Sequence, residues 1–488
     1  MLVPDKFVRR NVADLRENHP EEFGRFIKAL SALQKSDDWP RICGIHGNTF
    51  KPGDPGVLCP TDPEIVQRIG NTKDEPFYCA HSETKFIAWH TPYVYQFELL
   101  LNKYNVSPGK EHIALPYLWL ENNDKHQELQ YFINAPSITI MVDGKPETVE
   151  NPLCAENVYY YAVDGEKKTV TRNGFLNATD DSEKLKLDVT NKELNDAMYA
   201  LRYPTFSSNN LFNEILKKLI DFNPLEIPHN NLHDYIGGEG GVMSDVVVSA
   251  YDPLFWMHHC NMDRFFYNWA YNVTDGFKNE LKPHRIPNET LEGTLAPFAS
   301  SGSVYSDDLT TYIFGYENDS MTFLKVKDAI DFKKYWYTYD KIEIAPYQRP
   351  DATLEITGMP IPMETTHIEA FLPPKGTELT HENKKDHLVG FSTWFGINRY
   401  LKHCKRCERS RTNLKIDIDT FMKKKGISVE DLDKYELKIE GKGRLHPNDD
   451  GSYRTYPQEE LLKDGTAEIV VHTPTIIDSC CLPFMKRQ

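Results

Sequence analysis

No apolar run in this 488-residue sequence reaches the roughly 18 to 20 residues that a membrane-spanning helix needs. The stretch Met1–Arg10 lacks the apolar region of a secretory signal, so a cytoplasmic protein is expected. Cysteine is sparse, scattered and odd in number, at nine, which argues against a secreted disulfide framework. The sequons at Asn177 and Asn272 therefore read as chance matches. Positive charge is in deficit: 56 Lys and Arg stand against 72 Asp and Glu, a net charge of -16. That balance favours neither nucleic acid nor an anionic membrane as a partner. There is no internal repeat and no low-complexity tract. What remains is an ordinary globular composition, 40% hydrophobic and 26% charged, on a chain long enough for about two to four domains.

The texture changes twice along the chain. Up to about residue 135 it is helical: Leu15 to Leu33 carries apolar residues at helical spacing, and Phe86 to Tyr104 is strongly apolar. Residues 137–190 read as a hairpin-bearing insertion, with β-like runs at 138–142 and 158–163 and turn signals at Asp143-Gly144 and Asp164-Gly165. Helical pattern resumes near Lys192, and Leu211 to Phe222 is a second amphipathic candidate. After Tyr339 a linker is expected around 341–350. Alternating segments at 367–372, 437–440 and 467–472 then predict a β-rich domain over 351–488.

Histidine carries the chemistry. His229 and His233 stand four apart, with Pro228 suited to a first helical turn, so one helix face presents both rings. The zinc-protease pattern with this spacing needs a glutamate where Asn230 stands. Downstream, Asp252 is a good N-cap and Pro253 a good first-turn residue for a helix running through Trp269. On it His259 and Asp263 share a face, which would let Asp263 orient a metal-bound ring. His258 points roughly 100° away and reads as a packed, hydrogen-bonded histidine. A second group, His46, His81 and His90, lies far upstream. Neutral imidazole suits copper, zinc, iron or nickel, and the absence of carboxylate and thiolate argues against di-iron or structural zinc.

At these residues the chain resembles the type-3 copper proteins: tyrosinases, catechol oxidases and molluscan haemocyanin units, most closely the fungal tyrosinase pro-forms. Segment 252–264 carries most of the likeness; segments 8–12, 295–298 and 337–339 agree. The resemblance implies two copper ions, one on His46, His81 and His90, the other on His229, His233 and His259. It implies a mainly α catalytic domain over 1–340, with a four-helix-bundle copper core and a β insertion, followed by the smaller β-rich domain as a shield. It also implies an arginine, here Arg9, against the tyrosine motif Tyr337 to Tyr339. A thioether between Cys79 and His81 is expected by the same likeness; the alternative is a buried free thiol.

The implied activity uses O2 to hydroxylate monophenols and oxidise o-diphenols to o-quinones, with O2 and small phenols as partners and room for a homo-oligomer. A catechol oxidase and a reversible O2 carrier are the alternatives. Glu226 and Asn230 resemble the pair that some tyrosinases use to hold a water as base; an acid at a helix N-terminus is equally ordinary. Met243 and Ser244 lie where the family's loop borders the substrate pocket, or in a plain connection. In the shield, Phe395 is the expected plug of the pocket, with Trp394 second, unless it is plain core. Cys404 and Cys407 are expected to assist copper loading; with Cys480 and Cys481 they would instead suit zinc. Two departures stand out. Thr91 replaces the family's arginine after His90, and Leu118, Trp119 and Leu120 replace Trp-Asp-Trp, so opposite charges are lost together.

Overall fold

A computed structural model of the chain describes residues 7–47, 49–52, 79–106, 111–121, 124–174, 181–208, 223–276, 278, 286, 288–299, 323–360, 362, 364–396 and 411–472. The periodic stretch Leu15 to Leu33 is divided into α1 (Val12–Asn18) and α2 (Pro20–Gln34). Pro20 has no N–H to continue the first helix and opens the second instead. Then come α3 (Asp38–Gly47), α4 (Phe86–Lys103) and α5 (Asp124–Asn134). Two antiparallel hairpins follow, β2 (Ser137–Val142) with β3 (Lys145–Glu150) and β4 (Tyr159–Tyr161) with β5 (Lys167–Thr169). Asp143 and Gly144 both take positive φ, 52° and 73°, the requirement of a tight two-residue hairpin turn.

Helix resumes earlier than the sequence suggests, at α6 (Asp181–Ala197), and continues through α7 (Tyr203–Ser207), α8 (Glu226–Gly237) and α9 (Pro253–Val273). The amphipathic candidate Leu211 to Phe222 lies outside the described residues. Asp252 caps α9 as expected, its carboxylate accepting from the Leu254 N–H at 2.8 Å. Every residue of α9 from Pro253 to Ala270 is buried. A helix buried all round is placed by packing rather than by propensity. One such contact is Trp256 stacked on Phe97 of α4 at 3.9 Å and 7°.

The amino end is tied to the end of this helical unit. After the antiparallel pair β6 (Thr294–Ala299) and β7 (Phe323–Lys325), strand β8 (Tyr337–Tyr339) pairs in parallel with β1 (Phe7–Arg9), placing Arg9 opposite Tyr339. Arg9 is fully buried, with Nε 2.7 Å from Glu98 and Nη1 2.7 Å from the Tyr339 hydroxyl. Removing one member of such a buried ionic set typically costs about 3–5 kcal/mol, because its partners stay buried and uncompensated.

Beyond an extended stretch come two antiparallel sheets. One runs β11 (Leu388–Trp394), β10 (Thr366–Phe371), β13 (Lys438–Pro447), β14 (Tyr453–Pro457); the other runs β12 (Arg411–Asp417), β9 (Ala352–Pro360), β15 (Thr466–Val471). Their core includes Leu354, Ile368, Phe391 and Ile416, and it is closed by Leu185, Val189 and Ile227 from α6 and α8. The sheet-rich region thus packs directly on a helix that carries two of the singled-out histidines. Among the described residues, no helix is long and apolar enough to cross a membrane.

Candidate metal centre

Four helices and one turn bring six rings together: His46 at the end of α3, His81 in the turn before α4, His90 on α4, His229 and His233 on α8, and His259 on α9. All six are buried. The rings of His46, His81 and His90 form a nearly equilateral triangle with centroids 5.6 to 5.8 Å apart. In the other group, Nε2 of His259 lies 3.3 Å from that of His229 and 3.2 Å from that of His233. The triads face each other, His90 stacking on His259 at 4.3 Å and His81 lying 5.3 Å from His229.

Most of these rings are locked from behind. Nδ1 of His46 meets the Val246 carbonyl at 2.6 Å, that of His90 the Phe86 carbonyl at 2.8 Å, and that of His233 the Met243 carbonyl at 2.8 Å. Nδ1 of His229 meets Asn230 Oδ1 at 2.9 Å. A proton on Nδ1 leaves Nε2 with a free lone pair aimed inward, the tautomer a metal requires. Burial holds five of the rings neutral: His46 is pushed down to about 3, first by burial and then by His81, and His90, His229, His233 and His259 are lowered well below 6.5 by burial first. Nε2 of His46 and both ring nitrogens of His81 are buried without a hydrogen-bond partner. Unpaired buried polar atoms are costly, and convergent lone pairs at these separations suit an ion with metal–nitrogen distances of about 2.0–2.1 Å. The donor set fits two copper ions.

Other expectations divide. His258 is buried and stacks on His229 at 5.0 Å, but its Nε2 has no hydrogen-bond partner, so it is packed without being bonded there. Its potential ligand atom lies within 4.8 Å of those of His229, His233 and His259. Asp263 does not orient His259, whose Nδ1 is unpartnered. Its carboxylate instead accepts from Thr91 at 2.7 Å, Tyr337 at 2.7 Å and Tyr339 at 2.9 Å, beside Arg9 at 3.2 Å. Helix phase put Asp263 on the right face, but one turn further along it meets the buried arginine rather than the ring. Thr91 is thus accommodated by Asp263, while the indole of Trp119 donates to Glu121, so the two departures belong to separate networks.

Cys79 Sγ lies within 4.8 Å of the potential ligand atoms of His46, His81 and His90, and 3.4 Å from His90 Nε2. Glu226 Oε1 accepts from the Ser82 N–H at 2.6 Å, and Oε2 accepts from the Ser208 hydroxyl. Asn230 faces His229, so Glu226 and Asn230 each have a partner of their own. Met243 and Ser244 are fully buried; Met243 acts through its carbonyl on His233, a role side-chain patterns do not reveal. Phe395 sits against the site, with ring centroids 4.5 Å from His233, 5.3 Å from His81 and 6.1 Å from His229. Trp394 packs in the core of the sheet-rich region instead. Cys404 and Cys407, like Cys480 and Cys481, lie outside the described residues.

Comparison with known proteins agrees with this geometry. The common central domain of tyrosinase matches residues 36–272, the span that contains all six rings. A tyrosinase of Neurospora crassa is 31% identical over 323 residues, covering 58% of this chain and 46% of that protein. The chain thus spans about half the length of that relative. Among solved structures, an oxygen-bound variant of Aspergillus oryzae pro-tyrosinase superposes with a TM-score of 0.63 at 18% identity, covering 97% of this chain and 94% of that one. Deoxygenated haemocyanin from Rapana thomasiana gives 0.61 at 16% identity, covering 96% and 99%. The helical unit and the sheet-rich region therefore share the tyrosinase-like fold, and residues 36–272 match the common central domain of tyrosinase.

Proposed function

We propose that this chain is a copper-dependent phenol oxidase, held latent by its sheet-rich region. The observation that carries the reading is the pair of facing, buried histidine triads, His46, His81 and His90 against His229, His233 and His259, with ring centroids as close as 4.3 Å across the gap. Two copper ions held there supply two-electron chemistry toward O2, which oxidation of an o-diphenol to an o-quinone requires: two diphenols yield two quinones for each O2 reduced to water. The protein's part is to hold the rings in place, fix four of their tautomers through Val246, Phe86, Met243 and Asn230, and exclude bulk water by burial. Cys79 is assigned a thioether to His81, formed with loss of two hydrogen atoms to O2 and visible as that mass difference in a peptide.

Monophenol hydroxylation needs in addition an acceptor for the phenol proton. Glu226 and Asn230 flank His229 and are assigned that role, which requires Glu226 to release the Ser208 hydroxyl. Phe395 occupies the approach to His233 and His81, where a phenol ring would enter. The test is to load the chain with copper, trim it with a protease near residues 340–350, and follow oxidation of L-tyrosine and L-DOPA. Turnover of both supports a tyrosinase, and of L-DOPA alone a catechol oxidase. Reversible O2 uptake without turnover would replace the oxidase reading with an O2 carrier. In the untrimmed chain, Phe395→Ala is expected to raise L-DOPA turnover roughly tenfold or more, about 1.4 kcal/mol of barrier. An unchanged rate would remove Phe395 from the proposal.

A further inference from the structure

His81 differs from its neighbours in how it is held. His46, His90 and His233 are each fixed by a backbone carbonyl, and His229 by the adjacent Asn230. His81 belongs to no helix, and its ring is flanked by Phe86 and Phe395, both at 5.3 Å. Neither phenyl ring offers an acceptor that would fix its tautomer. Glu226 Oε1 lies 3.3 Å from its Nδ1 but off the line a hydrogen bond needs. The same oxygen accepts the Ser82 N–H at 2.6 Å, and Ser82 takes φ 59°, a left-handed conformation unfavourable for a residue with a Cβ. The end of α7 grips the turn from its other side: Ser208 donates to Glu226 Oε2, Ser207 Oγ donates to the Thr84 carbonyl at 3.0 Å and accepts the Ile87 N–H at 3.4 Å.

We propose that Glu226 is a positioning residue for the first copper centre: through the Ser82 amide next to His81 it carries the rigidity of α8 across to the turn that bears His81. The two copper centres are then coupled mechanically, because the helix presenting His229 and His233 also sets the third ligand of the opposite triad. Groups that hold the backbone and ring of a ligating residue fix its orientation, and loss of such a partner typically lowers metal affinity about 10- to 100-fold. This role precedes any proton transfer and concerns copper binding, so it needs the two-copper reading but not the oxidase reading.

The experiment compares the full-length chain with Glu226→Ala and Glu226→Gln by copper titration, hydrogen exchange over residues 79–87 and electron paramagnetic resonance. Glu226→Ala is expected to keep one tight site and weaken the other about 10- to 100-fold. At limiting copper it should show the resonance of an isolated Cu(II) ion, where the wild-type pair is silent through coupling. Amide exchange over 79–87 should speed up in the same variant. Glu226→Gln retains a carbonyl oxygen for the Ser82 amide and is expected to restore slow exchange and a large part of the lost affinity. Wild-type copper affinity and exchange in both variants, with only L-tyrosine hydroxylation lost, would overturn the positioning role and leave Glu226 a base. If wild type binds two coppers without oxidising phenols, the functional reading fails while the titration still decides this one. Should Glu226→Ala not fold, Glu226→Gln alone decides, because a positioning role predicts slower exchange and higher affinity than in Ser82→Gly, where the turn is relaxed.

Discussion

At the scale of single residues, the centre is built by desolvation more than by specific charge partners. An imidazole in water titrates near 6.5, where proton and metal compete; burial lowers that value and leaves the lone pair available. His258 and His259 experience the same burial, His258 being pushed down to about 3, so electrostatics does not tell the ligand from its neighbour. Geometry does, because Nε2 of His259 meets both His229 and His233. His259→Ala is therefore expected to leave one copper per chain, and His258→Ala two, by metal analysis after dialysis. The reverse result would transfer the ligand role to His258. Helix phase points these two rings in different directions, but the lack of a hydrogen bond at His258 Nε2 depends on what surrounds it and was not legible in the sequence.

At the scale of elements, the ends of helices set the ligands. The last turn of α3 carries His46 against the segment 246–248, where the Val246 carbonyl fixes its ring. Gly47 makes that approach possible: a Cβ there would fall 2.1 Å from the Val247 carbonyl oxygen and 2.4 Å from its Cα. Backbone at that distance must move, and Val247 is itself buried. Gly47→Ala is expected to cost about 1–3 kcal/mol, the usual range for overpacking, and to weaken copper binding with it. A thermal melt alongside copper titration checks both; an unchanged Tm would show that the contact yields freely. The sequence supplied a histidine and a glycine at these positions but not the distant carbonyl they meet. By contrast, the start of α9 was legible because its cap is local, Asp252 accepting from Leu254 two residues on, although the same carboxylate also pairs with the distant Arg172 at 2.6 Å.

At the scale of the whole molecule, the sheet-rich region is held on the helical unit by polar groups as well as by a shared core. Arg444 of β13 grips Asp234 of α8 at 2.6 and 3.0 Å, and Asn231 of the same helix accepts the Thr393 N–H two residues before Phe395. Asn231 also donates to Glu193 of α6 at 3.0 Å, and Asn223 donates to it at 2.8 Å. Burial, with Asp417 and Asp196 near by, pushes the Glu193 carboxyl up to about 8, despite the Asn223 bond and Lys192. A carboxyl raised in the folded state binds its proton more tightly than in the unfolded chain. Its contribution to stability is thus present near the ordinary value of 4.5 and is lost as pH rises toward 8, by up to about 1.4 kcal/mol per pH unit. Wild type is expected to lose thermal stability between about pH 4.5 and 8, and Glu193→Gln to flatten that slope. Parallel slopes in the two proteins would place the titration elsewhere.

By itself the sequence determined which rings could serve as donors, most of the helices that carry them and the order of the two units, because ring chemistry, helix phase and caps are properties of residues close along the chain. Asp143-Gly144, Asp252-Pro253 and the spacing of His229 and His233 are legible for that reason. Tertiary structure alone decided which groups face one another: that Asp263 belongs to Arg9 rather than His259, that Glu226 reaches the turn bearing His81, and that Phe395 rather than Trp394 lies over the histidines. Those pairings join residues far apart in the chain. The physical reason is that periodicity gives a side chain its direction, whereas its partner depends on which buried surface packing brings opposite.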